Sequence, residues 1–416
     1  MPRRIAPFAV ALFAMCAASA VAQRPPAPRH LAAPDHVTQQ PVGRASGVYQ
    51  LADGDVLVND PLSRRILRFD STLATARVVA DTSVGAAVPY PAALLGIIPF
   101  RGDSVIIVDP QSLSMLVTDG TGVVRRVMAI PRPDDAQLIA GGRFGQPGFD
   151  TNGRLVYRGA TRAVPGTRDA DGRYMPGPSP DSAPVVRFDF AARRLDTAGF
   201  FRVPGYRMVR RNLPDGRSLV QEVINPLMQV DAWVVTSDGR IALVRGLDYH
   251  VDWIGPAGER RAAGRMPYEW RRLGDDDKRT FMDSVRAASE RLRQETAART
   301  PPRTAPSPSG GSGALSSGFP GEGPPDLFVD ASDLPDYAPP FGLNAVRADA
   351  DGGLWIQTTV IVDGGSVYDV VNPAGVLTDR VVLPPGRVVA GFGRGGVVYL
   401  AVRDGDGVKV ERARLR

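Results

Sequence analysis

Cysteine is almost missing from this chain, and histidine nearly so. Among 416 residues there is one cysteine, Cys16, and there are three histidines, His30, His36 and His250. Beyond residue 16 this excludes disulfides, thiol nucleophiles and thiolate metal sites. Past the N-terminal stretch, no apolar run approaches the roughly 18 residues of a membrane-spanning helix. No G-x-S-x-G elbow, HExxH pair, EF-hand loop or P-loop occurs. Gly310-Gly311-Ser312-Gly313 has the glycines of a phosphate loop but no strand before it and no helix after it, and reads as a spacer. The formal charge is +6. Nearly all the basic residues are arginine, interspersed with aspartate, with no basic run or aromatic-basic platform, which argues against a nucleic-acid partner.

At the N-terminus, Arg3 and Arg4 precede an apolar stretch, Ile5–Met15, and then Ala20-Val21-Ala22. This is the charged region, short apolar region and A-x-A site of an export signal, with cleavage expected before Gln23. The chain is therefore expected outside the cytoplasm, in the periplasm or beyond the cell. Lipid attachment at Cys16 is the weaker alternative, because Met15 is larger than the small residue preferred before such a cysteine.

The rest of the chain repeats. Tight turns at Asp53-Gly54, Arg101-Gly102-Asp103, Asn152-Gly153, Asp238-Gly239, Asp351-Gly352 and Arg394-Gly395 each precede an apolar triplet, such as Val56-Leu57-Val58 or Leu354-Trp355-Ile356. Asn-Gly and Asp-Gly between alternating apolar runs are hairpin signals, because the turn needs positive φ. A second turn follows a third strand, as in Arg68-Phe69-Asp70, Arg187-Phe188-Asp189 and Asn372-Pro373-Ala374-Gly375. Each unit reads as a meander of four antiparallel strands, about 40 residues long. The expectation is an all-β chain, a six-bladed β-propeller of four-stranded blades with one helical and flexible insertion. Blades 1–4 fall in residues 37–265 and blades 5–6 in 342–416, after a leader, 1–22, and a linker, 23–36. The last blade has room for three strands, and the segment around Val37–Val42 is expected to supply the fourth. Asp215-Gly216 is a surplus turn, and 205–228 reads as an extra hairpin, or else as a degenerate seventh blade.

The Asp-Gly turns with their apolar triplets, and the Asn-Pro-Ala-Gly outer turn, resemble the six-bladed propeller superfamily that includes NHL-type and TolB-like repeat proteins. The WD dipeptide is absent, which disfavours WD repeats. The resemblance covers about residues 37–265 and 340–416. It implies the fold and leaves open a binding module, a lactonase, a lyase or a docking platform.

Antiparallel strands place the short glycine turns at one end of the ring and the long segments 159–183, 205–228 and 266–341 at the other. Loops on a rigid scaffold carry binding, so the insertion-bearing face is the expected working surface. Within 266–341, Asp275-Asp276-Asp277 suits a helix N-terminus. Phe281, Met282, Val285, Ala288 and Leu292 then recur at helical spacing, so 275–298 should be one amphipathic helix, packed flat on the ring or serving as a lid or docking element. Residues 300–325, rich in Pro, Gly and Ser, should be a flexible tether.

No catalytic set stands out. His250 alternates with Asp248 and Asp252 in a strand, either an Asp-His-Asp site or a polar strip. The starts of the inner strands carry Arg44, Gln146, Asp231 and Asn344. The ends of the second strands carry Asp60, Asp109, Arg158, Arg245, Gln357 and Arg403, and the arginines suit an anionic ligand. The expected function is a non-enzymatic scaffold, a monomer without a bound cofactor, that binds a small anion or a protein partner through Arg44, Arg158, Asp231, Arg245 and Asn344. The alternative is a metal-dependent propeller lactonase or lyase. The resemblance then implies a channel Ca²⁺ held by carboxylate and amide groups, here Asp231 and Asn344.

Overall fold

The computed structural model describes residues 24–83, 90, 96–141, 145–162, 164–168, 170, 172–205, 207–212, 218–299, 325–405 and 407–415. The leader with Cys16, the Asp215-Gly216 turn and residues 300–324 of the expected tether lie outside them.

The fold is mostly β. The six predicted turn glycines all adopt positive φ, from +61° at Gly102 to +91° at Gly54. Each connects the first two strands of a meander. The first sheet runs Gly47–Gln50, Val56–Asp60, Arg65–Phe69 and Ala76–Ala80. The second runs Gly96–Pro99, Val105–Asp109, Ser114–Thr118 and Val124–Ala129. The third holds Gly148–Phe149, Leu155–Arg158, Ser182–Asp189 and Arg194–Arg202. The fourth holds Ala232–Val235, Ile241–Arg245, His250–Ile254 and Arg260–Ala262. The fifth holds Phe341–Ala348, Leu354–Val362, Gly365–Val371 and Leu377–Val382, and Arg29–His30 adds a parallel strand at its outer edge. The sixth has Arg387–Gly393, Val397–Asp404 and Gly407–Arg414, with His36–Val37 paired antiparallel to the last.

The apolar triplets are continuous because each second strand is buried on both faces. Val56 and Val58 pack with Val397 and Tyr399 of the sixth sheet. Leu57, pointing the other way, packs with Ile97 and Ile107 of the second. The same alternation joins the second sheet to the third through Ile106 and Tyr157, and the third to the fourth through Val156 and Trp233. It joins the fourth to the fifth through Val244 and Ile356, and the fifth to the sixth through Trp355 and Leu400. Consecutive sheets thus stack face to face and the sixth stacks on the first, a closed ring of the β-propeller kind. Each large apolar side chain so buried contributes about 2 kcal/mol, and stability is spread over the interfaces rather than held in one centre. The innermost strands of the sixth and first sheets also pair directly, Gly391 opposite Val48. A Cβ at Gly391 would lie 1.9 Å from the Val48 carbonyl oxygen, so only glycine permits that approach.

The insertions are built separately. Arg207–Asn212 and Ser218–Ile224 form an antiparallel hairpin, and Leu327–Phe328 adds a parallel third strand to it. The long helix spans Asp275–Arg299. Its first turns are anchored, with Met282 buried and Lys278 paired to Asp336 at 2.7 Å. Farther along, Leu292 is 59% exposed, so the helix is not laid flat along its whole length.

Candidate functional site

Chain direction divides the ring into two ends. Turns between first and second strands, and between third and fourth, lie at one end. Turns between second and third strands, and the links between sheets, lie at the other.

At the insertion-bearing end, Asp231, Arg245, Asp248, His250 and Asp252, of the fourth sheet and its entry, form one network. Asp231 is buried, and its carboxylate accepts the Arg202 N–H at 2.9 Å and the Gly246 N–H at 3.1 Å. The Arg245 guanidinium bridges Asp231 and Asp252, donating to each at 2.8 Å. Burial by itself would depress the Arg245 pKa, but the two carboxylates more than offset it and raise the group above its ordinary value. The third strand begins at His250, so the expected strand alternation holds only for Asp252, 3.2 Å from Nε2, while Asp248, 2.9 Å from Nδ1, lies in the turn before the strand, where Tyr249 takes φ +47°.

This network answers whether Asp231 suits a channel cation. Its oxygens face two N–H groups and a guanidinium, a donor set made for a carboxylate that stays bound to its own protein. Asn344 is exposed, at φ +58° on the inner strand of the fifth sheet, where the pairing register shifts between Phe341 and Val346. A hard cation wants several free oxygens, and Asp231 does not supply them.

The remaining predicted residues are spread around this end. Arg44 is exposed, with its N–H capped by Asp60 at 2.9 Å. Asp60 is itself fully buried. Burial alone would raise its pKa, but N–H donors from Gly43, Ser63 and Arg44 hold it below the usual carboxylate range. Asp109 closes its own turn on Gln111 N–H at 2.9 Å, and Gln357 donates to Ser366 at 3.3 Å. Arg158 ends the second strand of the third sheet, half-buried; Arg403 lies on that of the sixth, exposed, and Gln146 is exposed before the third sheet. Of the five residues expected to bind, the structure brings together Asp231 and Arg245, and it pairs them with each other.

Large apolar side chains are the other feature of this end. Leu62, Leu113 and Leu247, in turns between second and third strands, are 69%, 39% and 57% exposed, and Ile361, near the end of the second strand of the fifth sheet, is 60% exposed. Phe200, at the end of the third sheet, is 58% exposed, and Trp270, in the long insertion, is 39% exposed. Trp270 stacks edge-on against Tyr268, which stacks on buried Tyr249. Tyr249 donates to Asp369 at 2.6 Å, and Arg380 donates to the same carboxylate at 3.1 Å. Burial raises the pKa of both Tyr249 and Asp369. Nothing in the sequence pattern flagged this buried trio, because Tyr249 lies in a turn of the fourth sheet and its partners in two strands of the fifth.

At the short-turn end, arginines reach from one sheet to the carbonyls of the next sheet's outer turn. Arg187, of the Arg-Phe-Asp turn in the third sheet, donates to Gly255 O at 2.7 Å. Its counterpart Arg68 donates to Gly120 O of the second sheet and pairs with Asp53 and Asp55. Arg154 reaches Pro256 O, and Arg240 reaches Pro373 O at 2.9 Å while covering the Trp253 ring at 4.2 Å. Arg412 closes the circle from the sixth sheet to Ser71 O of the first at 2.7 Å.

No family model and no curated protein matches this chain. Among solved structures it is similar to a catalytically inactive virginiamycin B lyase from Staphylococcus aureus with quinupristin, at 12% identity and a TM-score of 0.40, over 92% of this chain and 99% of that one. It is similar to a gluconolactonase from Xanthomonas campestris, at 11% identity and a TM-score of 0.35, over 94% and 99% of the two chains. A member of the duf4221 family from Bacteroides vulgatus aligns at 10% identity and a TM-score of 0.46, over 94% and 98%. These solved structures are of the β-propeller type.

Proposed function

We propose that this chain is an exported six-bladed β-propeller that works as a non-enzymatic scaffold, docking a protein partner on its insertion-bearing end. One observation carries the reading. The buried carboxylates there, Asp60 and Asp231, and the Arg245 guanidinium are spent on each other or on backbone, whereas Leu62, Phe200, Leu247, Trp270 and Ile361 stay exposed. Exposed apolar side chains with few free polar groups fit a partner surface better than a reaction centre. At the other end, the exposed large apolar residues of the turns are valines, Val123 and Val376.

A photo-crosslinking amino acid at position 247 and, separately, at position 376 tests this in the source cells. Position 247 is expected to yield a discrete protein adduct and position 376 none. Equal adducts from both ends would refute the docking face. Stoichiometric Ca²⁺ or Zn²⁺ retained by the purified protein would instead promote the metal-dependent enzyme.

A further inference from the structure

The outermost strand of each sheet in the ring turns one side to solvent, and a bare strand edge invites pairing with another chain. The molecule blunts these edges one by one. In the first three sheets the outer strand carries a surplus residue, Val79, Arg125 and Ala198 respectively, which bulges the edge. The outer strand of the fourth sheet, Arg260–Ala262, is only three residues long. Arg29–His30 covers the edge of the fifth, and His36–Val37 that of the sixth.

The hairpin inserted between the third and fourth sheets has none of these devices. Its first strand, Arg207–Asn212, pairs with Ser218–Ile224 in unbroken register, from Arg207 opposite Val223 to Asn212 opposite Ser218. No strand lies on its other side among the described residues. The third strand of this sheet fixes which backbone groups point outward. The Ile224 carbonyl accepts the Val329 N–H at 3.0 Å, so Ile224 and, by alternation, Glu222 turn their backbone groups toward Leu327–Phe328. Val223, Gln221 and Leu219 therefore exchange hydrogen bonds with Arg207, Val209 and Arg211. Met208 and Asn212 are left turning N–H and C=O outward, where neither has a partner among the described residues.

The charge of the strand narrows what can pair there. It carries Arg207, Arg210 and Arg211 and no acid. Arg210 donates to Tyr174 O at 2.7 Å and to Ser218 at 3.0 Å, and Arg211 donates to Gln221 at 3.2 Å, so two guanidinium groups are already positioned, on opposite faces of the hairpin. Pairing with the same strand of a second copy would set arginine beside arginine, which is destabilising, whereas an acidic strand would set carboxylates beside them.

We propose that Arg207–Asn212 is an acceptor edge, to which an extended acidic segment of the docked partner adds as a further strand. Main-chain hydrogen bonds supply the affinity, and the arginines select acidic side chains. This rests on the docking role of the insertion-bearing end and names the chemistry of the segment it takes.

The test is fluorescence anisotropy of the chain from residue 23 onward with three labelled peptides. These are an alternating glutamate–valine hexamer, its lysine–valine counterpart, and the acidic hexamer N-methylated throughout, which keeps the charge and removes the donors. The acidic hexamer should bind, and each of the other two should bind weaker by about tenfold or more. Met208→Pro removes an outward N–H and spares the pairing with Ser218–Ile224. It should weaken the acidic hexamer by about tenfold with Tm unchanged. Equal binding of the lysine hexamer, equal binding of the N-methylated hexamer (the mark of a surface for any polyanion), or unchanged binding in Met208→Pro would each overturn the proposal. So would a dimer of the parent chain in sedimentation that Met208→Pro dissociates, because a second copy would then occupy the edge. A discrete adduct at position 247 with no binding of the acidic hexamer would sink this assignment and leave the docking face standing. Hexamer binding with equal adducts from positions 247 and 376 would support the edge and fell the docking face.

Discussion

The two ends of this ring use the same residue types for opposite purposes. At the short-turn end, arginine joins sheets: Arg68, Arg154, Arg187, Arg240 and Arg412 each donate to a carbonyl of the neighbouring sheet's outer turn. At the insertion-bearing end, the charges of Asp231, Arg245 and Asp252 close on themselves within one sheet and its entry, and the apolar side chains face outward. One end is tied together and the other is open to a partner. This accounts for a basic complement that is nearly all arginine. A guanidinium has five donors and can hold an aspartate and reach a second sheet at once, which an ammonium on a flexible stem does poorly.

Arg187→Ala should break this comparison hardest. It removes a buried donor to Gly255 O and strips a neighbouring charge from buried Asp150, 3.8 Å away. A loss of about 3 kcal/mol is expected, read as a lower urea midpoint. A loss under about 0.5 kcal/mol would mean the clasps are ornamental.

A smaller effect concerns acid. Asp70 is held well below the usual carboxylate range, first by Thr72 and then Thr75, and Asp119 first by Thr121, both in short-turn-end bends. For depressed carboxyls the unfolded chain binds protons first. Their stabilisation is therefore present above about pH 4 and is lost as pH falls through the folded-state values. The double variant Asp70→Asn, Asp119→Asn should flatten the decline of unfolding free energy between pH 4 and 2. An unaltered acid limb would place that sensitivity elsewhere.

The smallest expected effect sharpens the contrast from the other end. Phe200→Ser combined with Leu247→Ser should shift stability by under about 0.5 kcal/mol, measured by urea unfolding. A shift beyond about 1.5 kcal/mol would show that these side chains support the ring instead of waiting for a partner.

The turns were legible where glycine marked them. Gly54, Gly153 and Gly239 announce their positive φ in the sequence, and the alternation of Val56, Leu57 and Val58 announces a strand buried on both faces. Three of the turns between second and third strands were harder to read, because Arg64, Leu113 and Tyr249 take positive φ, from +47° to +54°, where the sequence offers no glycine at that position. Site chemistry was legible only within a strand. Asp252 beside His250 follows from period-two alternation, whereas Asp248 reaches the ring from the turn before the strand. The pairing of Asp231 with Arg245 depends on a cross-strand meeting.

His36–Val37 and Gly407–Arg414 complete the same sheet, which bears on how the molecule is made. A ribosome emits the first of these some 370 residues before the second, so the loop they close is nearly the whole polypeptide. The circle therefore shuts only once both of these strands have been made, so ring closure is the contact of longest range in the fold.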